Sequence, residues 1–451
     1  MQPMKPILIT QATLVSQGRQ RPCDLLLQNG RIARIDGHIS HPTAEVWDVS
    51  GHHVFAGMID DQVHFREPGF PHKATIASES RAAVLGGITS YMDMPNTRPH
   101  TLTRALLEEK YERAAATSVA NYSFFMGIAS TNLEEALRVD NRWVCGITDD
   151  GLYFDDEQGI LANQPAFLEE LFARAETLVA LHSEDDGVIA RNTRRYEAIF
   201  GDDIPMAAHE CIRSEEACLV ATRRVVDLAR RHGNRLHLFH ISTAAECALF
   251  DDTRPVREKR ITAEACLHHL RFNHNDYARL GSAIKWNPSV KSRADQEGLA
   301  AAFRRGAIDF FATDHAPHVW SEKAAKYAHA ASGGPLVQHA VPAALELFHE
   351  GKLTLPQVAA AISEHVSAAY RLVDRGVAVE GAHADLIVVD LNRPWQVTRS
   401  SLAHHCGWSP FEGAVFQSQI RHTFTNGLPV VKDGVLTGLR APQRLEFEVV
   451  R

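Results

Sequence analysis

The chain has 451 residues, enough for one large barrel of roughly 250–400 residues and a smaller accessory unit. A formal charge of -8 without a basic block disfavours a nucleic-acid surface or an anionic membrane, and 45% hydrophobic with 23% charged residues excludes a disordered or fibrous chain. The seven cysteines form neither a CxxC pair nor an even framework, which argues against a disulfide scaffold and for reduced thiols.

The N-terminus, MQPMKPILITQATLVSQG, has no sustained apolar core before a small-residue cleavage site, and no apolar run approaches the ~20 residues of a membrane span. A soluble, cytoplasmic protein is expected. Short β-rich runs at 6–9, 24–28, 31–35 and 44–48, punctuated by Asn29-Gly30 and Gly37, predict hairpins. From Ala384 onward ADLIVVDL, QIRHTFTNGLPVVKDG and RLEFEVV repeat that character, with turns at Asn426-Gly427 and Asp433-Gly434. The two ends are expected to pair into one small β-sandwich domain, 1–55 with 380–451.

Between them, over 56–379, apolar runs alternate with amphipathic helical stretches such as EEACLVATRRVVDLARR, the pattern of repeated βα units. Eight strands are predicted: VFAGMIDDQVHF, ITSYMDMPN, ANYSFFMGI, WVCGITDD, TLVALHSED, LHLFHIST, RITAEACLHHL and IDFFATDHAPH. Eight parallel strands close a (β/α)₈ TIM barrel, whose reacting groups sit at the C-terminal ends of the strands. His64, Asn96, Asp150, His182, His240 and Asp314 end six of these runs. Singly, a histidine ending a strand is more often a hydrogen-bonded loop residue than a ligand. Jointly, imidazoles and carboxylates at one barrel mouth are the donors that hold zinc. His182 and Asp314 also end nearly apolar runs, where an unpaired polar group would be costly.

The ordered motifs D-D-Q-V-H-F-R-E-P-G at 60–69, M-P-N-T at 94–97, T-D-D-G at 148–151, H-S-E-D at 182–185, H-I-S at 240–242 and A-T-D-H-A-P-H at 312–318 resemble the dihydroorotase family, and C-G-W-S-P-F-E-G at 406–413 is similar to a late motif of it. The resemblance implies a hydrolase of cyclic amides within the amidohydrolase superfamily, interconverting N-carbamoyl-L-aspartate and (S)-dihydroorotate in pyrimidine biosynthesis. It implies metal ligands at His64, Asp150, His182, His240 and Asp314, with Asp150 bridging where other branches carry a carboxylated lysine. Asp314 also matches the residue that handles the proton. Arg66, Asn96 and His318 match the groups that hold the substrate carboxylate, and Asn287 a residue near the pyrimidine ring. Hydrolysing an unstrained amide at neutral pH demands a strong nucleophile, which a divalent metal makes available from water. A planar Arg66 fork suits a carboxylate.

One position departs from the family. The first histidine of its H-x-H pair is Gln62 here, a neutral and weaker zinc donor. Three readings stay open: one zinc on His182, His240 and Asp150 suffices; Gln62 helps hold a second; or catalysis is lost and the chain supports aspartate transcarbamoylase as an inactive partner. Another cyclic-amide hydrolase, of allantoinase or dihydropyrimidinase type, is a further alternative, for which Arg66 is awkward. A homo-oligomer is expected by analogy. The pairs His52-His53, His268-His269 and His404-His405 read as structural, each at a strand start or in a loop, and His315 as a packing or hydrogen-bonding residue. The stretch 319–334, rich in small and polar residues, reads as a mobile loop over the site, with Pro335 and Leu336 offering backbone groups to substrate.

Overall fold

The computed structural model describes residues 5–152 and 160–449. Parallel strands run in chain order from Met58–Val63 through Ile88–Asp93, Asn121–Phe124 continued by Met126–Gly127, Ile147–Thr148, Val179–Leu181, Leu236–Leu238 and Ile261–Cys266 to Phe310–Ala312. Each pairs with its predecessor, and a parallel bridge between Val63 and His315 joins last to first. The His64 N–H reinforces that seam, donating to the His315 carbonyl at 2.8 Å. The fold is therefore a closed (β/α)₈ barrel, with its active end where these strands stop.

The helices outside the barrel form for reasons readable in the chain. Glu215–His232 begins at Ser214, whose hydroxyl accepts the Ala217 N–H, and places Glu215 and Glu216 in its first turn and Arg230, Arg231 and His232 in its last. These charges oppose the helix dipole at both ends. Gly233 stops it in the left-handed conformation at φ 70°. Cys218, Ala221, Thr222, Val225 and Ala229 recur every three or four residues and are buried, so one stripe of the helix faces the sheet. Helix Arg293–Arg305 repeats the device between Ser292 and Gly306.

The two chain ends pair in one sheet. A nine-stranded sheet joins Ile7–Ser16, Arg19–Gln28, Arg31–Asp36, Glu45–Asp48 and His53–Ala56 to Leu386–Asp390, Gln419–Thr425, Leu428–Lys432 and Val435–Leu436. The joint is the antiparallel pairing of Leu386–Asp390 with His53–Ala56. One face buries Ile9, Leu14, Leu25, Val54, Leu386 and Phe424 together, while Val15, Phe55, Ile387 and Val389 pack toward the barrel.

Two details differ from the sequence reading. The run 54–65 is two strands, since Gly57 separates His53–Ala56 of the terminal sheet from the first barrel strand. RLEFEVV does not join the terminal sheet: through Phe447 it makes isolated bridges from Arg444 to Tyr122 and from Phe447 to Leu372, and Leu445 and Phe447 are buried with Phe125, Leu178 and Tyr370. Those side chains find more apolar surface against the barrel than on a sheet edge.

Candidate active site and metal centre

The strand ends deliver His64, Asp150, His182, His240 and Asp314 to one buried cluster. His64 Nε2 lies 3.3 Å from Asp150 Oδ2 and 3.3 Å from Asp314 Oδ1, while its Nδ1 meets Asn96 Oδ1 at 2.9 Å. His182 Nδ1 and His240 Nε2 face each other at 3.0 Å, and each stands 3.8 Å from Asp150 Oδ1. One donor atom each from Asp150, His182 and His240 falls within 4.8 Å of the others.

The surroundings fix which atoms point inward. The two aspartates of T-D-D-G divide the work: Asp149 accepts the backbone N–H groups of Leu161 and His182 at 3.0 and 3.2 Å, leaving Asp150 to enter the cluster. Gly151 follows at φ 73°, where a Cβ would stand 2.3 Å from Asn96 Nδ2, so the turn admits no side chain. Glu184 Oε2, also paired with Arg213, takes the Nε2 proton of His182 at 2.9 Å. The Nδ1 lone pair of His182 is thereby aimed at His240. Two imidazole nitrogens opposed at 3.0 Å beside a carboxylate need a proton or a cation between them, and an orienting carboxylate behind a histidine is the usual outer shell of a metal ligand. The donor set fits a divalent ion.

The electrostatics carry the same demand for positive charge. Burial opposes ionisation of Asp150, yet His240 and His64 hold its carboxyl well below the usual range. Burial alone would depress His64, but Asp150 and Asp314 outweigh it and raise the imidazole to about 9. Burial raises Asp314 despite His64, and holds His182 down to about 4. Three residues here, Arg66, His240 and Asp314, adopt positive φ of 66°, 39° and 47°. Such backbone persists where the surrounding structure enforces a particular side-chain placement.

Above this cluster opens a cavity of about 230 Å³, lined among others by His64, Asp150, Asp314, Arg66, Asn96 and His318. Asn287 lines it too, with a buried side-chain oxygen that has no hydrogen-bond partner. Arg66 Nε donates to the Pro317 carbonyl at 3.1 Å, and its guanidinium reaches His318 Nε2 at 3.1 Å. Burial and Arg66 hold His318 well below its ordinary value, so it faces the cavity as a neutral ring.

Gln62 is fully buried beside the cluster, but it gives its amide N–H to Asp150 at 3.3 Å and turns its oxygen to the Cys266 thiol at 3.3 Å. Among the described residues no ion pair brings a lysine to the bridging place; the buried Lys110 is tied to Asp93 at 2.6 Å. His315 takes the Leu336 N–H at 2.9 Å and pairs with Glu79 at 3.0 Å, as a hydrogen-bonding residue does. That bond also commits the Leu336 N–H, so it is not available to substrate. Of the stretch 319–334, Ala331, Ser332 and Gly333 line the cavity. His268-His269 corrects the sequence reading: the pair lies in the short helix Leu267–Arg271 after a barrel strand, because the strand ends at Cys266. Sequence reasoning missed Lys73, which lines the cavity and pairs with Glu322 at 2.9 Å, Trp286, whose indole N–H donates to the Asp314 carbonyl at 3.1 Å, and Glu184. Glu184 was legible within H-S-E-D; Lys73 and Trp286 carried no local signal.

The amidohydrolase family model matches residues 53–430, spanning the barrel and most of the terminal sheet's second half. The chain belongs to the amidohydrolase family. Among its relatives, a dihydroorotase of Halobacterium salinarum is 31% identical over 404 residues, covering 87% of this chain and 92% of that one. An allantoinase of Deinococcus radiodurans is 30% identical over 444 residues, 96% of each. The L-hydantoinase of Arthrobacter aurescens superposes with a TM-score of 0.90 over 98% of this chain and 100% of its own at 23% identity, which establishes the shared fold. The protein is thus a barrel hydrolase of this family. No helix of the described residues is long and apolar enough to cross a membrane.

Proposed function

We propose that this amidohydrolase is a zinc-dependent dihydroorotase, interconverting N-carbamoyl-L-aspartate and (S)-dihydroorotate. The observation that carries the reading is the single cavity in which Arg66, Asn96, Asn287 and His318 stand above His64, Asp150 and Asp314. Arg66 and Lys73 line it together with Asp150 and Asp314, and Glu322 pairs with Lys73; with the two aspartates turned to the metal cluster, the cations suit an anionic substrate group.

Zinc would be held by Asp150, His182 and His240, with His64 and Asp314 at a second position. When bound, it would polarise the amide carbonyl and acidify water to a pKa of roughly 7. Arg66 grips the substrate carboxylate through its planar fork, with Asn96 and His318 completing the grip and orienting the ring amide. Asp314 accepts the proton of the attacking water and delivers it to the departing ring nitrogen; in ring closure it removes the proton from that nitrogen. Asn287 offers its free oxygen to an N–H of the ring.

Ureide hydrolysis is a second reading, favoured by the Deinococcus radiodurans allantoinase, which matches 96% of this chain. Arg66 opposes it, since allantoin carries no carboxylate. A homo-oligomer, a cytoplasmic location and an association with aspartate transcarbamoylase belong to the same proposal. Turnover of dihydroorotate, allantoin and hydantoin by protein of known zinc content decides among them: dihydroorotate should be hydrolysed at least tenfold faster than the others. Zinc-loaded protein that turns over none of the three would overturn the enzymatic reading.

A further inference from the structure

Cys266 ends the strand Ile261–Cys266, and His268 and His269 lie in the helix Leu267–Arg271 that follows. One ligating atom from each falls within 4.8 Å of the others, and all three residues are at most 2% exposed. His269 gives its Nε2 proton to the Pro288 carbonyl at 3.2 Å, leaving Nδ1 buried without a partner. His268 stacks on Trp286 with ring centroids 4.5 Å apart and gives one ring N–H to the Thr313 backbone, leaving its other nitrogen buried without a partner. The Cys266 thiol has only weak neighbours, Gln62 Oε1 at 3.3 Å and Glu264 Oε1 at 3.8 Å.

Such bare nitrogens are expensive, because a buried polar group without a partner has lost water and gained nothing in return. An imidazole that donates its far N–H to a backbone carbonyl while its near nitrogen stays free is disposed as metal-ligating histidines are. A thiol with two imidazoles selects a borderline-soft cation, of which zinc is the most available.

We propose that Cys266, His268 and His269 hold a zinc ion of their own, bound through one thiolate and two imidazoles, beside and distinct from the Asp150–His182–His240 cluster. On binding, the Cys266 S–H releases its proton to solvent and the sulfur bonds the metal, with no change of oxidation state. Gln62 Oε1 is positioned to close the shell while its amide nitrogen holds Asp150, so a glutamine at 62 connects the two sites where a histidine would serve only the first. The assignment does not depend on which cyclic amide is turned over.

X-ray absorption at the zinc edge of the full, zinc-loaded chain tests it. The expected shell contains sulfur at ~2.3 Å besides nitrogen and oxygen at ~2.0–2.1 Å, and the cobalt-loaded protein shows a thiolate-to-metal charge-transfer band. Both signals, and one metal ion per chain, disappear in Cys266→Ser. The other three clusters of potential ligands among the described residues contain no cysteine, so the sulfur signal has one expected source. A wild-type shell of nitrogen and oxygen alone, or sulfur that persists in Cys266→Ser, overturns the proposal. The wild-type spectrum decides even where Cys266→Ser fails to fold. Absent dihydroorotate turnover in a sample that retains the sulfur signal would count against the catalytic reading alone.

Discussion

The barrel mouth and the terminal sheet are both buried, and they bury opposite things. At and beneath the mouth, Asp60, Asp61, Gln62, His64, Asp150, His182, His240, Glu264 and Asp314 are all buried, and burial, reinforced by neighbouring carboxylates, raises Asp60 and Glu264 to about 8. In the terminal sheet the enclosed face is Ile9, Leu14, Leu25, Leu27, Val54, Leu386, Val388 and Phe424, and its buried Asp24 is spent on the backbone N–H groups of Gln11 and Ile39. The contrast teaches that this protein concentrates its electrostatic cost where chemistry needs it and offsets that cost with apolar packing elsewhere. Substitutions at the mouth should therefore change activity more than stability, and substitutions in the sheet the reverse.

The largest effect is expected from Asp314→Asn, which should lower turnover of dihydroorotate about 10²–10⁴-fold while metal stays partly bound. Retained turnover would remove Asp314 from proton transfer. In the sheet, Phe424→Ala should cost about 3–5 kcal/mol in denaturant unfolding and leave the turnover number of the folded fraction unchanged. A lowered turnover number there would show that the two regions are coupled. Arg66→Lys keeps the charge and loses the fork, and should reduce kcat/KM by an amount equivalent to about 1.5–3 kcal/mol. The loss should fall on substrates bearing a carboxylate and spare those without one. Gln62→His should raise the zinc bound per chain at limiting zinc, measured by mass spectrometry; an unchanged content would mean that Gln62 either already serves as a ligand or lies outside the site.

The smallest effect concerns pH. In the sheet, burial holds His422 down to about 4 from 6.5, and its Nδ1 accepts the Asp433 N–H at 3.2 Å. Between those values the unfolded chain takes up a proton that the folded chain refuses, so stability is present above pH 6.5 and declines as pH falls toward about 4. His422→Gln should flatten that part of the stability curve in denaturant titrations at several pH values. An unchanged slope would assign the dependence to other buried histidines, such as His237, which burial also holds down to about 4.

Much of the architecture was legible because two local rules carry it. Apolar runs alternating with amphipathic stretches give βα units, and eight of them close a barrel whose strand ends must converge. His64, Asp150, His182, His240 and Asp314 could therefore be placed at one end before any coordinates. The motif resemblance singled out Asp150 over Asp149, and the structure gives the physical reason, since Asp149 satisfies two backbone N–H groups.

What the sequence by itself determined was the order of elements, the family and the residue types at the barrel mouth, since these follow from periodicity and motif spacing along the chain. Only the tertiary structure decided that Leu445 and Phe447 pack on the barrel, that Gln62 turns its oxygen to Cys266, and that Cys266, His268 and His269 converge with unpartnered nitrogens. Those are contacts between segments, set by strand register and closure of the ring, and local pattern does not encode which distant side chain lies across a gap of three ångströms.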